Sequence, residues 1–364
     1  MAEKLTIHDI ARLAGVSNAT VSRVLNGKPD VNPETRERVL RIMEEQGFSP
    51  SLAAAALAGR HSKLIAVLVP SLNYPFIAEI IRGVAAESEA QGYEIVLYTV
   101  LQQQDRTDII NRILATRLTA GLLAIQVGHS SAYLTELYEK GFPVVIITDQ
   151  VEPTSAPWVL TDNRRGAYNA VKHLIKLGHR RIAHIHGRQT FRSSFERYDG
   201  YCDALREAGI PIDPALVVYG DFEPPSGRAC ARQLFSLPED RRPTAIFSSN
   251  DLMSYGVLAA AEEFGLRIPK DIALVSFDDI PASAHLSPAL TTVRQPFFEM
   301  GQRGTELLLH LIEETHFPEK YGGMKKVIAP TQREPIRIEI PTSLVIRESC
   351  GSLSQTLSSL QVFS

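Results

Sequence analysis

From Leu64 onward, short unbroken apolar runs alternate with amphipathic stretches of helical length, a pattern that few folds accommodate. LIAVLVP, YEIVLYTV, GLLAI and PVVIIT are separated by helical patterns at 76–91, 105–118 and 133–140. WVLTD, RIAHIHG, LVVYG, TAIFSSN and IALVSFDD follow, interleaved with helical patterns at 164–177, 195–208, 226–235 and 252–264. A strand that is apolar along its whole length is buried on both faces, so it belongs in a parallel sheet covered by helices on either side. Two such series predict two doubly wound lobes, and open sheets of that kind hold ligands at the carboxyl ends of their strands. The segments TTVRQPFFEMGQRGTELLLHLIEE and IRIEIPTSLVIRES then cross back and complete both lobes. The expected boundaries are 63–162 plus 293–325 for the first lobe and 163–292 plus 326–348 for the second. Residues 349–364 read as a disordered, Ser-rich tail with leucines at 353, 357 and 360.

The first 60 residues read instead as short helices between tight stop signals. Thr6 caps a first helix whose apolar face is Ile7, Ile10, Leu13 and Ala14, and Gly15 breaks it. Ser17 caps a second over 18–26, with Val21, Val24 and Leu25 inward and Gly27 just past its end. Asn32 and Pro33 pair a cap with a first-turn proline and open a third helix that runs to Gly47, with Val39, Ile42 and Met43 on one face. Short helices joined by so tight a turn are the helix-turn-helix arrangement, expected over 1–50, with an alanine-rich link over 51–62.

Composition narrows the function classes. A chain of 364 residues holds two or three folded units at the usual domain size of about 100–200 residues. A net charge of −3 excludes a protein that coats nucleic acid through its overall field, so any DNA contact is local. Cys202, Cys230 and Cys350 lie far apart and form no metal-like spacing, which reads as reduced packing thiols. No apolar leader opens the chain and no apolar run exceeds strand length, so a cytoplasmic protein without a membrane span is expected.

The stretch TIHDIARLAGVSNATVSRVLNGKPDVNPETRERVLRIMEEQGFSPSLAAAALAGRHS closely resembles the LacI/GalR family of bacterial transcription regulators. FERYDGY, SSNDLMSYG, VSFDD and LTTVRQP extend the resemblance across the rest of the chain in the family's order. The resemblance implies an N-terminal all-α helix-turn-helix headpiece, a hinge helix, and an α/β core of two doubly wound parallel-sheet lobes like the periplasmic sugar-binding proteins. A helix laid in the major groove reaches base edges only from its start and outward face, here Ser17, Asn18, Ala19, Thr20, Ser22 and Arg23. The resemblance puts Asn18 and Ala19 at the positions that vary most with operator sequence. Asn18 suits adenine edges, Ala19 a thymine methyl, and Arg23 a bidentate grip on guanine; the bland alternative for Arg23 is a solvated helix charge. Thr6, Asn26 and Lys28 suit phosphate positioning, which orients without specifying. Residues 1–60 carry eight cationic against seven anionic side chains, so one headpiece alone should bind weakly and a homodimer is needed. In SLAAAALAGR, which resembles the hinge helix, alanines such as Ala54 permit close approach in a minor groove, and Leu57 matches the residue that wedges into the central base step.

For the core, the resemblance assigns Arg197 to the ligand, where its forked donors suit sugar hydroxyls or a carboxylate; the alternative is an ion pair within its own helix, to Glu196 or Asp199. Asp278 and Asn250 end strands where an open sheet presents ligand groups, with Asp251 read as the helix cap beside Asn250. Phe222 stands where relatives place an aromatic platform against a ring, or else simply packs. Ser71, Asn73, Phe76 and Asp162 line the cleft from the first lobe by resemblance, with Gln126 and Asp149 as weaker candidates. Arg192 and Ser193 face the same ligand; Arg192 marks an acidic or phosphorylated effector, or is a surface charge. No P-loop, GxSxG, HExxH or GxGxxG sits at the junction it would require, and His184 and His186 have no carboxylate or Cys neighbour to complete a metal site. Neither an enzyme nor a cofactor is expected. The expected function is a repressor that binds a pseudo-palindromic double-stranded operator and responds to a mono- or disaccharide, release by the ligand being the commoner sign among sugar-sensing relatives. Two other readings stay open: a global regulator with a phosphorylated carrier protein as corepressor, and a sugar-binding transport protein.

Overall fold

The computed structural model describes residues 5–25, 28, 30–48, 62–100, 106–116, 118–125, 131–147, 155–316 and 336–352. The chain divides into two compact units, residues 1–62 and 63–364.

The first unit contains helices α1 (Ile7–Ala14), α2 (Asn18–Leu25) and α3 (Pro33–Glu45). Thr6 and Asp9 form a reciprocal capping box that closes the start of α1, and Gly15 ends it in the left-handed region at φ 62°. Ser17 Oγ accepts from the Thr20 N–H at 3.1 Å to start α2, and Asn32 Oδ1 accepts from Glu34 N at 2.9 Å to start α3. Ile10, Ala11, Ala14, Val21, Val24, Val31, Val39 and Met43 form the buried core. Leu13 does not join it. Residues 7, 10, 11 and 14 share one face of a helix, whereas residue 13 lies about 100° away around the axis, and Leu13 is 49% exposed. Ala11 occupies the place that the expected face gave to Leu13.

The second unit is built on two six-stranded sheets. Strands β1 (Leu64–Val69), β2 (Glu94–Thr99), β3 (Leu122–Ile125), β4 (Val144–Ile147), β5 (Trp158–Thr161) and β11 (Arg337–Ile340) form the first. They lie in the order β2-β1-β3-β4-β5-β11, with every neighbouring pair parallel. Alternate residues of one strand feed opposite faces. Ile65, Val67 and Val69 of β1 pack with helices α4 (Pro75–Ala90) and α11 (Phe297–His316), while Ala66 and Leu68 pack with α5 (Arg106–Thr116) and α6 (Ser131–Glu139). Helices α4 and α11 touch through backbone: a Cβ on Gly83 would lie 2.0 Å from Phe298 O, and one on Gly301 2.2 Å from Ile80 O.

The second sheet takes β6 (Ile182–His186), β7 (Val217–Tyr219), β8 (Ala245–Ser248), β9 (Ala273–Asp278), β10 (Thr291–Arg294) and β12 (Ser343–Val345) in the order β7-β6-β8-β9-β10-β12. Only β12 runs antiparallel, against β10. Helices α7 (Asn163–Lys176) and α8 (Arg192–Glu207) cover one face, and α9 (Pro224–Phe235) and α10 (Asp251–Glu263) the other. The chain therefore passes between lobes after β5, after β10 and between β11 and β12. The last crossing falls at residues 341–342, where the sequence reading put it near 326, so β11 belongs to the first lobe.

Candidate functional site

In the helical unit, the start of α2 presents Ser17, Asn18, Ala19 and Arg23 as exposed residues, with Thr20 half-buried because its hydroxyl contacts Ser17 Oγ at 2.9 Å. Ser22 is likewise half-buried. Arg23 lies 3.6 Å from Asp30, both more than half exposed, an ion pair worth little in water and easily exchanged for another partner. The Thr6 hydroxyl is committed to the α1 capping box, and Lys28 is exposed with its carbonyl accepting from Arg36. Asn26, Ala54 and Leu57, and with them the expected hinge helix, lie outside the described residues, as do the tail leucines.

In the second unit, a cavity of about 340 Å³ opens between the lobes. Among the described residues, the carboxyl ends of eight strands converge on it: Ser71 follows β1, Val100 follows β2, Thr161 ends β5, Arg188 follows β6, Phe222 follows β7, Asn250 follows β8, Asp278 ends β9 and Gln295 follows β10. Tyr74, Phe76, Val100, Leu160, Phe297 and Met300 give the first lobe's wall an apolar character, with the Phe76 ring stacked on Phe297 at 5.3 Å. The second lobe's wall is polar, carrying Asn163, Arg188, Ser193, Arg197, Asp221, Asn250 and Asp278 beside the rings of Phe191 and Phe222.

Arg197 and Asp278 form the charged centre. Their side chains are 6% and 11% exposed, and Arg197 Nη1 stands 3.6 Å from Asp278 Oδ1. Arg197 Nε donates to Asn163 Oδ1 at 3.0 Å, Nη1 donates to Ser249 O, and the guanidinium lies 3.8 Å over the Phe277 ring. An ion pair along its own helix is thereby replaced by one across the sheet end. Gln295 joins the lobes: its Nε2 donates to Asp278 Oδ1 and its Oε1 accepts from Thr161 Oγ1, both at 2.7 Å.

Backbone strain concentrates here. Among the described residues, the non-glycine positions with positive φ are Phe222 (73°), Asp278 (115°) and Asp279 (57°), each costing roughly 1–3 kcal/mol unless its surroundings hold it. Asn250 Nδ2 donates to Phe222 O at 3.0 Å, and the ring fits only because residue 187 is glycine, where a Cβ would lie 2.1 Å from Phe222 Cζ. Asn250, not Asp251, is the helix cap, accepting from Met253 N at 2.9 Å. Asp251 is fully buried and ties down the 280–292 loop by accepting from Ile280 N, Ser283 Oγ and Thr292 Oγ1. Burial is the largest influence on its carboxyl and raises its pKa.

Of the residues assigned from sequence, Ser71, Phe76, Ser193, Arg197, Phe222, Asn250 and Asp278 line this cavity. Asn73 does not; it is exposed, and its N–H donates to Ser71 Oγ at 3.2 Å. Asp162 caps α7, accepting from Arg165 N at 2.8 Å, while its neighbour Asn163 faces the cavity. Arg192 is turned away, paired with Glu196 at 2.6 Å in a separate charged depression. Gln126 and Asp149 lie outside the described residues. Thr161, Asn163, Arg188, Phe191 and Gln295 were missed; Gln295 stands inside the quoted LTTVRQP, so that motif already carried its signal. Among the described residues no group of three or more His, Cys, Asp or Glu side chains is disposed to hold a metal, and no helix is long and apolar enough to cross a membrane.

Comparison with known proteins accounts for both parts. Residues 6–51 match the family of bacterial regulatory proteins of the lacI type, and residues 171–350 match a periplasmic binding protein-like domain. Catabolite control protein A of Priestia megaterium is 33% identical over 93% of this chain and 99% of its own length. Among solved structures, a lac repressor dimer bound to operator and an anti-inducer superposes with a TM-score of 0.81 at 29% identity, covering 96% of this chain and 99% of that one. A complex of the regulator CelR with cellobiose gives 0.68 at 33% identity over 95% and 99%. The chain belongs to the lacI family of bacterial regulatory proteins: it is a DNA-binding transcription regulator with an effector-binding domain.

Proposed function

We propose that the protein is a cytoplasmic repressor, without enzymatic activity, that binds a pseudo-palindromic operator as a homodimer and is controlled by a sugar-like effector in the interlobe cavity. One observation carries the effector class: a buried Arg197–Asp278 pair faces a wall of aromatic rings across a cavity of about 340 Å³. Neighbouring sugar hydroxyls can accept from the guanidinium and donate to the carboxylate, while the apolar face of a pyranose lies against Phe76 or Phe222. The volume is at the lower end of small-molecule sites, which suits a mono- or disaccharide. The cellobiose complex of a relative supports the same class.

A ligand bridging both walls fixes the angle between lobes. If that angle sets how two headpieces are presented, effector and operator affinities are coupled reciprocally, and a two-fold dimer demands a two-fold related site. The test is thermal-shift screening of the full chain against mono- and disaccharides, with free purines and pyrimidines as a parallel set. At least one sugar raises the melting temperature, and Arg197→Ala abolishes the shift while operator binding persists. A shift retained in Arg197→Ala overturns the assigned pocket, and a response to bases alone overturns the sugar class. Gel shifts with and without the active sugar give the sign of the response.

A further inference from the structure

Helix α8 carries two adjacent rows of side chains at i,i+4 spacing, and they face different places. Ser193 and Arg197 line the interlobe cavity. Arg192 and Glu196 line the charged depression beside it, with Arg337 and Glu339 of β11. A continuous set of contacts joins the rows. Arg192 Nε donates to Glu196 Oε1 at 2.6 Å, Glu196 Oε2 accepts from Asn163 Nδ2 at 3.1 Å, and Asn163 Oδ1 accepts from Arg197 Nε at 3.0 Å. At its outer end the Arg192 guanidinium lies 5.4 Å over the ring of Trp158, and Arg337 lies 5.3 Å over the same ring. Trp158 begins β5 of the first lobe, whereas Arg192 begins α8 of the second.

We propose that Glu196 and Asn163 are positioning residues that hold Arg197 toward the cavity, and that the cation–π contact of Arg192 with Trp158 ties this hold to the seating of one lobe on the other. The reason lies in the chemistry of the amide. A carboxylate only accepts, so Glu196 fixes which end of the Asn163 amide it meets: Nδ2 must face Glu196, and Oδ1 is then left for Arg197 Nε. With the amide reversed, a donor would face a donor at Arg197 and an acceptor would face the carboxylate. The Nδ2 contact with Thr161 O at 3.3 Å reinforces the same orientation from the first lobe. Glu196 is in turn set by Arg192, whose guanidinium meets the carboxylate through Nε while lying 5.4 Å over the indole, two roles that a lysine ammonium does not fill in the same geometry. Opening the lobes withdraws Trp158 from Arg192, and the change passes through Glu196 and Asn163 to the arginine in the cavity. The inference takes the cavity to be the effector site, as above, and so identifies side chains through which occupancy and lobe angle act on each other.

Trp158 is the single tryptophan in the chain, so intrinsic emission of the full-length protein reads this contact without a label. The experiment records the emission maximum and acrylamide quenching of the ligand-free wild type, Asn163→Ala, Glu196→Gln, Arg192→Lys and the Asn163→Ala/Glu196→Gln double variant. Circular dichroism checks each for folding. Arg192→Lys changes the Trp158 signal directly, and Glu196→Gln, a mild change on a half-buried residue, does so through Arg192. Asn163→Ala shifts emission from a distance, and that shift vanishes once Glu196 is already replaced, the non-additivity expected of one connected set. Emission that ignores both Asn163→Ala and Glu196→Gln overturns the proposal, as does an Asn163→Ala shift of equal size in both backgrounds. Because no effector is added, a sugar response with additive emission changes sinks this inference alone. A non-additive cycle in a protein that no sugar stabilises sinks the effector reading alone.

Discussion

His184 should make the second lobe sensitive to acid by an amount that can be worked out from its surroundings. It lies in the middle of β6 with no exposed surface, its ring stacked near Tyr198, Tyr201 and Phe247 at 5.8, 5.1 and 5.2 Å. Its Nδ1–H donates to Phe247 O at 3.1 Å, a bond that needs only the neutral ring. Burial, reinforced by neighbouring His186 and Arg197, depresses its pKa from 6.5 to about 3. A depressed folded value means that the folded state favours the neutral ring. The associated stability is complete above the unfolded pKa of about 6.5 and is lost as pH falls toward 3. Between about pH 7.5 and pH 5 this one residue should remove about 2 kcal/mol. Urea unfolding followed by far-ultraviolet circular dichroism at both pH values, in wild type and His184→Gln, isolates it from the other histidines. The variant is less stable at neutral pH, but its loss on acidification is smaller by about 2 kcal/mol. Equal losses in the two proteins would mean that His184 is solvated or charged in the fold, and the reasoning from burial would be refuted.

Two further outcomes follow from particular contacts. Gly83→Ala drives a Cβ into the Phe298 carbonyl, so α4 and α11 must separate; the urea midpoint should fall by the equivalent of about 1–3 kcal/mol or more, and an unchanged midpoint would show that the two helices yield freely. Arg23→Ala should weaken binding to a duplex selected from a random pool by about 1–3 kcal/mol in gel shifts, and unchanged affinity would remove α2 from the groove.

The fold was legible wherever one rule governed a whole element. Unbroken apolar runs gave the inner strands of both sheets, because a strand covered on both faces has no polar position to disguise it. The run of β2 misled: it forms an edge strand with no buried position, because among the described residues nothing covers it on the far side. β11 was assigned to the wrong lobe because RIEI alternates like an edge strand, and nothing within four residues says which sheet edge it will join. Leu13 was misread because hydrophobicity outweighed angle; the smaller Ala11 lies in the right direction. The site was legible at strand ends but blurred by a residue or two beyond them. Asp162 and Asn163 are both plausible ligand groups in sequence, and only helix capping decides that the first turns to the backbone and the second to the cavity. Arg192 and Ser193 were grouped together for the same reason, although one step along a helix turns a side chain by about 100° and out of the cleft. The Gln295 bridge required knowing that the end of β5 in one sheet comes within hydrogen-bond reach of the residue after β10 in the other, which no stretch of sequence shows by itself.

Both sheets receive their final strand from a single stretch of nine residues, Arg337–Val345, which supplies β11 to one and β12 to the other. During synthesis, neither lobe can close its outer edge until that stretch has left the ribosome, and a stop codon anywhere upstream leaves two unfinished sheets instead of one intact lobe and one damaged lobe. Unpaired edges invite association with other chains, so such truncations should aggregate. Anyone grafting this sensor onto a different DNA reader would have to carry the sequence through Cys350 in one piece. Ser349 and Cys350, expected to open a disordered tail, are buried in the second lobe, where Ser349 Oγ donates to Leu274 O at 2.7 Å.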